Sequence, residues 1–164
     1  MILFPHIIVG AVIGAKIQNF WLIAVLGLIS HFIMDRIPHW DHLAPDYALL
    51  FKATKQIKYF VKFLILIVID GFIGLSIVSI CLYFKNTLNL YSLKFVIVGI
   101  FFTVLPDAFL LLGYLTDKYK ISKNYIKFHH FFHFINKKKG KITFLGLFSQ
   151  IAIIVISLLL LFVS

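Results

Sequence analysis

The side chains of this chain best equipped for chemistry are histidines and aspartates set in or beside apolar runs. The densest stretch is Ser30-His31-Phe32-Ile33-Met34-Asp35-Arg36-Ile37-Pro38-His39-Trp40-Asp41-His42. From His31 onward it packs three histidines and two carboxylates into twelve residues. Imidazole nitrogen and carboxylate oxygen are the ligands of a hard or borderline divalent metal such as zinc. The whole chain holds seven histidines, six aspartates and no glutamate. Ionisable groups are expensive at membrane depth, so each one inside an apolar run marks a candidate functional site.

Spacing sorts these candidates. His31 and Asp35 lie four apart and share one helix face. That spacing suits one metal ion, and it equally suits a local hydrogen bond between the two side chains. Pro38 disfavours helical geometry at Ile37. His39, Trp40 and Asp41 therefore belong to a turn across the membrane face, with Trp40 as interfacial anchor and with His42 and Asp46 solvated. Asp70 sits in Ile-Leu-Ile-Val-Ile-Asp-Gly-Phe-Ile-Gly. Left unpaired there, a carboxylate would cost several kcal/mol or take up a proton. It is either a protonated acid bonding a backbone carbonyl or a charge balanced by metal. Asp107 follows Pro106, whose missing N–H frees a carbonyl and can aim the next side chain into a cavity. His129, His130 and His133 stand at i, i+1 and i+4, so His129 and His133 share a face if the segment is helical. Their interleaved phenylalanines suit a helix lying in the interface; the alternative is a basic, aromatic anchor for anionic headgroups, a role that fits Lys137, Lys138 and Lys139.

The elements that must position these groups follow from composition. The 164 residues are 62% hydrophobic, 17% aromatic and 13% charged, with a mean hydropathy of +1.02. Such a chain is an integral membrane protein, and residues 1–164 are expected to form one membrane domain. The formal net charge of +10 points to topology and anionic lipid headgroups before nucleic acid. Cys81 is the single cysteine, which excludes an intrachain disulfide. The first residues lack a basic n-region and a clear cleavage site, so the first segment is expected to belong to the mature fold. No glycine-rich phosphate loop, nucleophile-elbow serine or CxxC motif is present. Ser30 beside His31 does not make a triad, which depends on geometry rather than adjacency.

Tyr59 to Phe84, Phe95 to Leu115 and Ile142 to Ser164 each reach the roughly 20 residues that a bilayer core requires. Ile17 to Met34 is borderline, and Pro5 to Ala15 is too short to span. The first two segments are expected to form a helical hairpin, either short and re-entrant or spanning a thinned bilayer, with Gly10 and Gly14 at the spacing that lets helices approach closely. The expected fold is all-α: a polytopic transmembrane helical bundle of about four to five membrane segments. Lysine distribution orients it, because the connections are basic-rich, basic-poor and basic-rich in turn. The first and third connections should face the cytoplasm. That orientation brings His6, His31, Asp35, Asp70, Asp107 and the histidines from His129 to His133 to the cytoplasmic half. Lys52, Lys55, Lys58 and Lys62 repeat at helical spacing and should form one snorkelling face.

The stretch Gly27-Leu28-Ile29-Ser30-His31-Phe32-Ile33-Met34-Asp35 resembles the G-x-x-S-H-x-x-x-D element of the YdjM-like family of membrane-bound metal-dependent hydrolases. It is also similar to small bacterial membrane proteins carrying S-H-x-x-x-D-x-x-P-H-x-D, and more remotely to the ligand set of zinc-dependent phospholipase C. Leu105-Pro106-Asp107 looks like the family's L-P-D element, His129 to His133 like its paired histidines, and His6 like its early histidine. The order of the elements is reversed here, and Ala108-Phe109 stand where the family has a second acidic residue and a histidine. The resemblance implies a metal-dependent hydrolase.

Taken together, these readings anticipate a membrane-embedded hydrolase with one to three divalent metals, zinc foremost, acting on a lipid phosphoester at the cytoplasmic interface of a plasma or inner membrane. The expected ligands are His6, His31, Asp35, His39, Asp41, Asp70, Asp107, His129 and His133, with Asp41 or Asp70 as general base. The alternatives are a divalent-metal carrier or sensor, with Asp70 and Asp107 marking an ion path, and a small non-catalytic membrane scaffold.

Overall fold

Lipid offers the backbone no hydrogen-bond partners, so long apolar runs must satisfy their own N–H and C=O groups as helices. The computed structural model describes residues 3–40, 44–85, 89–116, 119–133 and 143–163, and their regular structure is entirely helical. The elements are α1 (Leu3–Lys16), α2 (Phe20–Arg36), α3 (Ala44–Thr54), α4 (Ile57–Phe84), α5 (Leu90–Leu115), α6 (Lys120–Phe132) and α7 (Phe144–Phe162). Three stretches, Ile57–Phe84, Leu90–Tyr114 and Phe144–Phe162, are long and apolar enough to cross a membrane. Outward-facing residues on them, such as Phe72, Phe101 and Leu159, are large and apolar. That is the surface lipid requires.

Local signals set the helix ends. Asn19 and Asn89 accept hydrogen bonds from the Leu22 and Ser92 N–H groups at 3.1 and 2.7 Å. Thr143 does the same for Gly146 at 3.2 Å. Each satisfies one of the donors that a helix start leaves open. Pro38 stops α2 as expected, with Ile37 already extended at φ −72° and ψ 139°. One expected element is absent. Lys55 has φ 58°, a left-handed conformation costly for a side chain with a Cβ. The helix breaks there, so Lys52 belongs to α3 whereas Lys58 and Lys62 belong to α4. The four lysines do not share one helical face.

The shortest apolar helix lies at the centre. Pro5, His6, Ile7, Ile8, Gly10, Ala11 and Gly14 of α1 are buried. Ile7, Ile8 and Ala11 form the main apolar core with Val78, Cys81 and Leu82 of α4, Val96 of α5 and Leu161 of α7. Both α1 and α2 pack chiefly on α5, and they form the expected short hairpin, with His6 near the start of α1 stacked on His31 near the end of α2. Contact between α1 and α5 is at backbone distance. A Cβ at Gly10 would lie 2.2 Å from Thr103 Oγ1, one at Gly14 2.1 Å from the Phe95 carbonyl, and one at Gly99 2.1 Å from the Gly10 carbonyl. Pairing Gly14 with Phe95 and Gly10 with Gly99 makes the helices antiparallel. Continuing that register sets His6 level with Thr103.

These glycines give a direct test. Gly99→Ala forces backbones apart and should destabilise the protein by about 1–3 kcal/mol. Gly71→Ala should not, because its Cβ would meet only Leu3 Cδ2 at 3.7 Å. Thermal unfolding in detergent micelles distinguishes them; equal midpoints for the two variants would contradict the packing described.

Candidate metal centre

Four potential ligand atoms from three helices converge at one end of the bundle. The Nε2 atom of His31 on α2 lies 3.2 Å from Nε2 of His129 on α6. Asp35 Oδ2, one turn along α2, lies 3.2 Å from His31 Nε2 and 3.6 Å from His129 Nε2. Asp107 Oδ1 on α5 lies 3.8 and 3.5 Å from the same two nitrogens. Ligands about 2.0–2.1 Å from one tetrahedral ion stand about 3.3 Å from each other. The observed separations fall around that value. His31, Asp35 and His129 are buried, whereas the Asp107 side chain keeps 28% of its exposure.

Neighbouring groups fix how these ligands point. A carbonyl can only accept, so His31 Nδ1 donates to the Thr103 carbonyl at 2.8 Å. In its neutral, metal-binding form the ring then turns the lone pair of Nε2 toward the cluster, the orientation a ligand needs. Thr103 is fully buried, and its hydroxyl donates to the Gly99 carbonyl at 2.9 Å. Tyr125 on α6 donates its hydroxyl to the Pro106 carbonyl at 2.8 Å, tying α6 to α5 one residue before Asp107. Burial pushes the Tyr125 phenol up to about 12, and the nearby Asp107 and Asp35 carboxylates push the same way. It stays a neutral donor. On α6 the partly or fully buried positions are Ser122, Tyr125, Ile126, His129, Phe132 and His133, a single helical stripe.

A second group adjoins the first. Asp35, His39 and His133 each place a ligand atom within 4.8 Å of the others. The His39 and His133 rings meet edge to face at 4.7 Å. His6 lies beside both groups without joining either. Its ring stacks on His31 at 4.4 Å, and its Nε2 stands 3.3 Å from Asp35 Oδ1.

The remaining sequence candidates lie elsewhere. Asp70 is in neither group: its Oδ2 accepts a hydrogen bond from the Leu3 N–H, anchoring the first turn of α1. His130 turns away from its neighbour His129 and meets the Tyr114 hydroxyl at 2.8 Å. Asp41 and His42 lie outside the described residues. Sequence reasoning passed over Thr103 and Tyr125. Each stands four residues before a cluster member, Asp107 and His129, on the same helix face; a hydroxyl at that spacing was the available signal.

Comparison with protein-family models, with curated proteins and with solved structures returns no match.

Alkaline titration tests the setting of Tyr125. A raised phenol pKa keeps the neutral form to higher pH, so the absorbance difference between wild type and Tyr125→Phe should be centred at about 12. A difference centred near the ordinary tyrosine value of about 10 would place this phenol in open solvent instead.

Proposed function

We propose that this chain is a membrane-embedded, metal-dependent hydrolase that binds a divalent ion, zinc first, between His31, Asp35, Asp107 and His129. The observation that carries the reading is a four-member set of nitrogen and oxygen donors with ion-sized separations. A bound divalent metal supplies a Lewis acid and a water of lowered pKa. The protein's own contribution is orientation. Thr103 sets the His31 tautomer, and Tyr125 fixes α6 against α5. The resemblance to the YdjM-like hydrolases supports the same reading.

A lipid phosphoester at the cytoplasmic interface is the substrate class we favour. Lys120, Lys123 and Lys127 are exposed on the outer side of α6, the helix that carries His129, and Phe128 and Phe131 are exposed beside them. A basic, aromatic helix surface suits anionic headgroups. The basic-rich first and third connections support a cytoplasmic orientation. A metal carrier would use Asp70 and Asp107 as successive steps; the engagement of Asp70 with the α1 N-terminus favours the enzyme over that reading.

The test is zinc-loaded protein in phosphatidylglycerol liposomes, with release of the phosphorylated headgroup as readout. Chelation should abolish release. His31→Ala and Asp107→Ala should each reduce it by at least the roughly 10–100-fold that outer ligand-orienting groups are worth, and His130→Ala should leave it intact. Zinc flux without lipid turnover would support the carrier. Absence of bound zinc in wild-type protein would overturn both.

A further inference from the structure

The donors on α2 and α6 continue past the first group in steps of four. His31, Asp35 and His39 succeed one another along α2 and the turn that follows it, and His129 and His133 do so on the inner stripe of α6. One turn of helix separates His31 from Asp35 and His129 from His133, whereas the extended Ile37 and the turn after α2 carry the chain from Asp35 to His39. His31 and His129 face Asp35 Oδ2, and His39 and His133 each bring a ligand atom within 4.8 Å of an Asp35 oxygen. We propose that Asp35, His39 and His133 form a second divalent-metal site, joined to the first through a shared Asp35 carboxylate. This rests on the first group binding an ion, and it makes the proposed centre binuclear.

The chemistry of the donors fits. A carboxylate has two oxygens and about four lone-pair positions, enough to face two ions. Asp35 Oδ2 already faces His31 and His129. His39 Nδ1 donates to the Ile37 carbonyl at 2.7 Å, so the lone pair of its neutral ring is on Nε2. That is the arrangement His31 shows in the first group, where a backbone carbonyl selects the ligand nitrogen. His39 is 1% exposed, a degree of burial unusual for histidine on a turn.

The fold also spends structure on holding that turn. The Ser149 hydroxyl of α7 donates to the Pro38 carbonyl, and Gln150 Nε2 donates to the Trp40 carbonyl at 2.7 Å. A Cβ at Gly146 would lie 3.0 Å from the His39 carbonyl carbon, so α7 presses directly on the turn. On the other side the Arg36 guanidinium donates to the Phe131 carbonyl at 2.9 Å, binding the end of α2 to the last turn of α6. His39 and His133 are thus brought together by two separate clamps. A turn that served only to connect α2 to α3 would need neither.

Metal counting tests the proposal. The full chain, purified in detergent micelles, is stripped with chelator, reloaded with zinc alone and desalted. Wild type should retain two zinc ions per chain. The His39→Asn/His133→Asn double variant should retain one, with the affinity of that ion within about threefold of the tighter wild-type site. One ion in wild type, or two in the double variant, overturns the second site and leaves the first standing. None in wild type overturns both. Unaltered protein gives a check that no substitution can confound. Loaded with two equivalents of Mn²⁺, it should show the electron paramagnetic resonance spectrum of an exchange-coupled pair. Two isolated six-line signals would overturn the shared carboxylate.

Discussion

The arrangement of this protein depends on one close contact, the meeting of α1 and α5 at backbone distance. Gly10, Gly14 and Gly99 permit it, since a Cβ at any of them would strike the facing helix. Dispersion and backbone packing hold helices together where lipid removes the hydrophobic drive. A helix of 14 residues, shorter than the roughly 20 that a bilayer core requires, thereby becomes the buried centre, touching α4, α5 and α7 through Ile7, Ile8 and Ala11. The same contact fixes the register that levels His6 with Thr103, whose carbonyl receives His31.

From that register the site follows by short steps. Gly27 lets α2 approach α5 near Phe102, which delivers His31 to Thr103 and Asp35 to the neighbourhood of Asp107. The α5–α6 connection folds α6 back on α5, and Tyr125 secures it beside Pro106. Finally α7 holds the turn that carries His39. Clustering two carboxylates and several imidazoles costs solvation and side-chain freedom. A cation among the donors offsets both costs, so the packing and the proposed metal chemistry favour the same arrangement.

Much of this was legible in the sequence because apolar length and helical spacing are local properties. The spanning helices, the stop at Pro38, the close approach at Gly10 and Gly14, and the common face of His129 and His133 all follow from residues near each other in the chain. What stayed hidden depends on partners far away. Asp70 looked like a metal-competent charge until the α1 N-terminus, 67 residues distant, supplied its donor. His129 and His130 are neighbours with equal claims, and only the packing of α6 on α5 separates the buried one from the one at Tyr114. The break at Lys55 overrides a regular lysine spacing that carries no information about backbone conformation. Thr103 and Tyr125 act through their hydrogen bonds to the frame around the ligands, and polar groups in that role carry no metal-ligand signature of their own.

The proposed centre requires that His31, Asp35, Asp107 and His129 hold a common ion. X-ray absorption at the zinc edge of the loaded protein tests it most directly, because the spectrum reports the atoms around the metal whatever the reaction. The metal should show a shell of nitrogen and oxygen at about 2.0–2.1 Å, with the outer-shell scattering of at least two imidazoles that falls when His129 is replaced by alanine. A hydrated shell without imidazole scattering, or a sulfur neighbour at about 2.3 Å from Cys81, would contradict it.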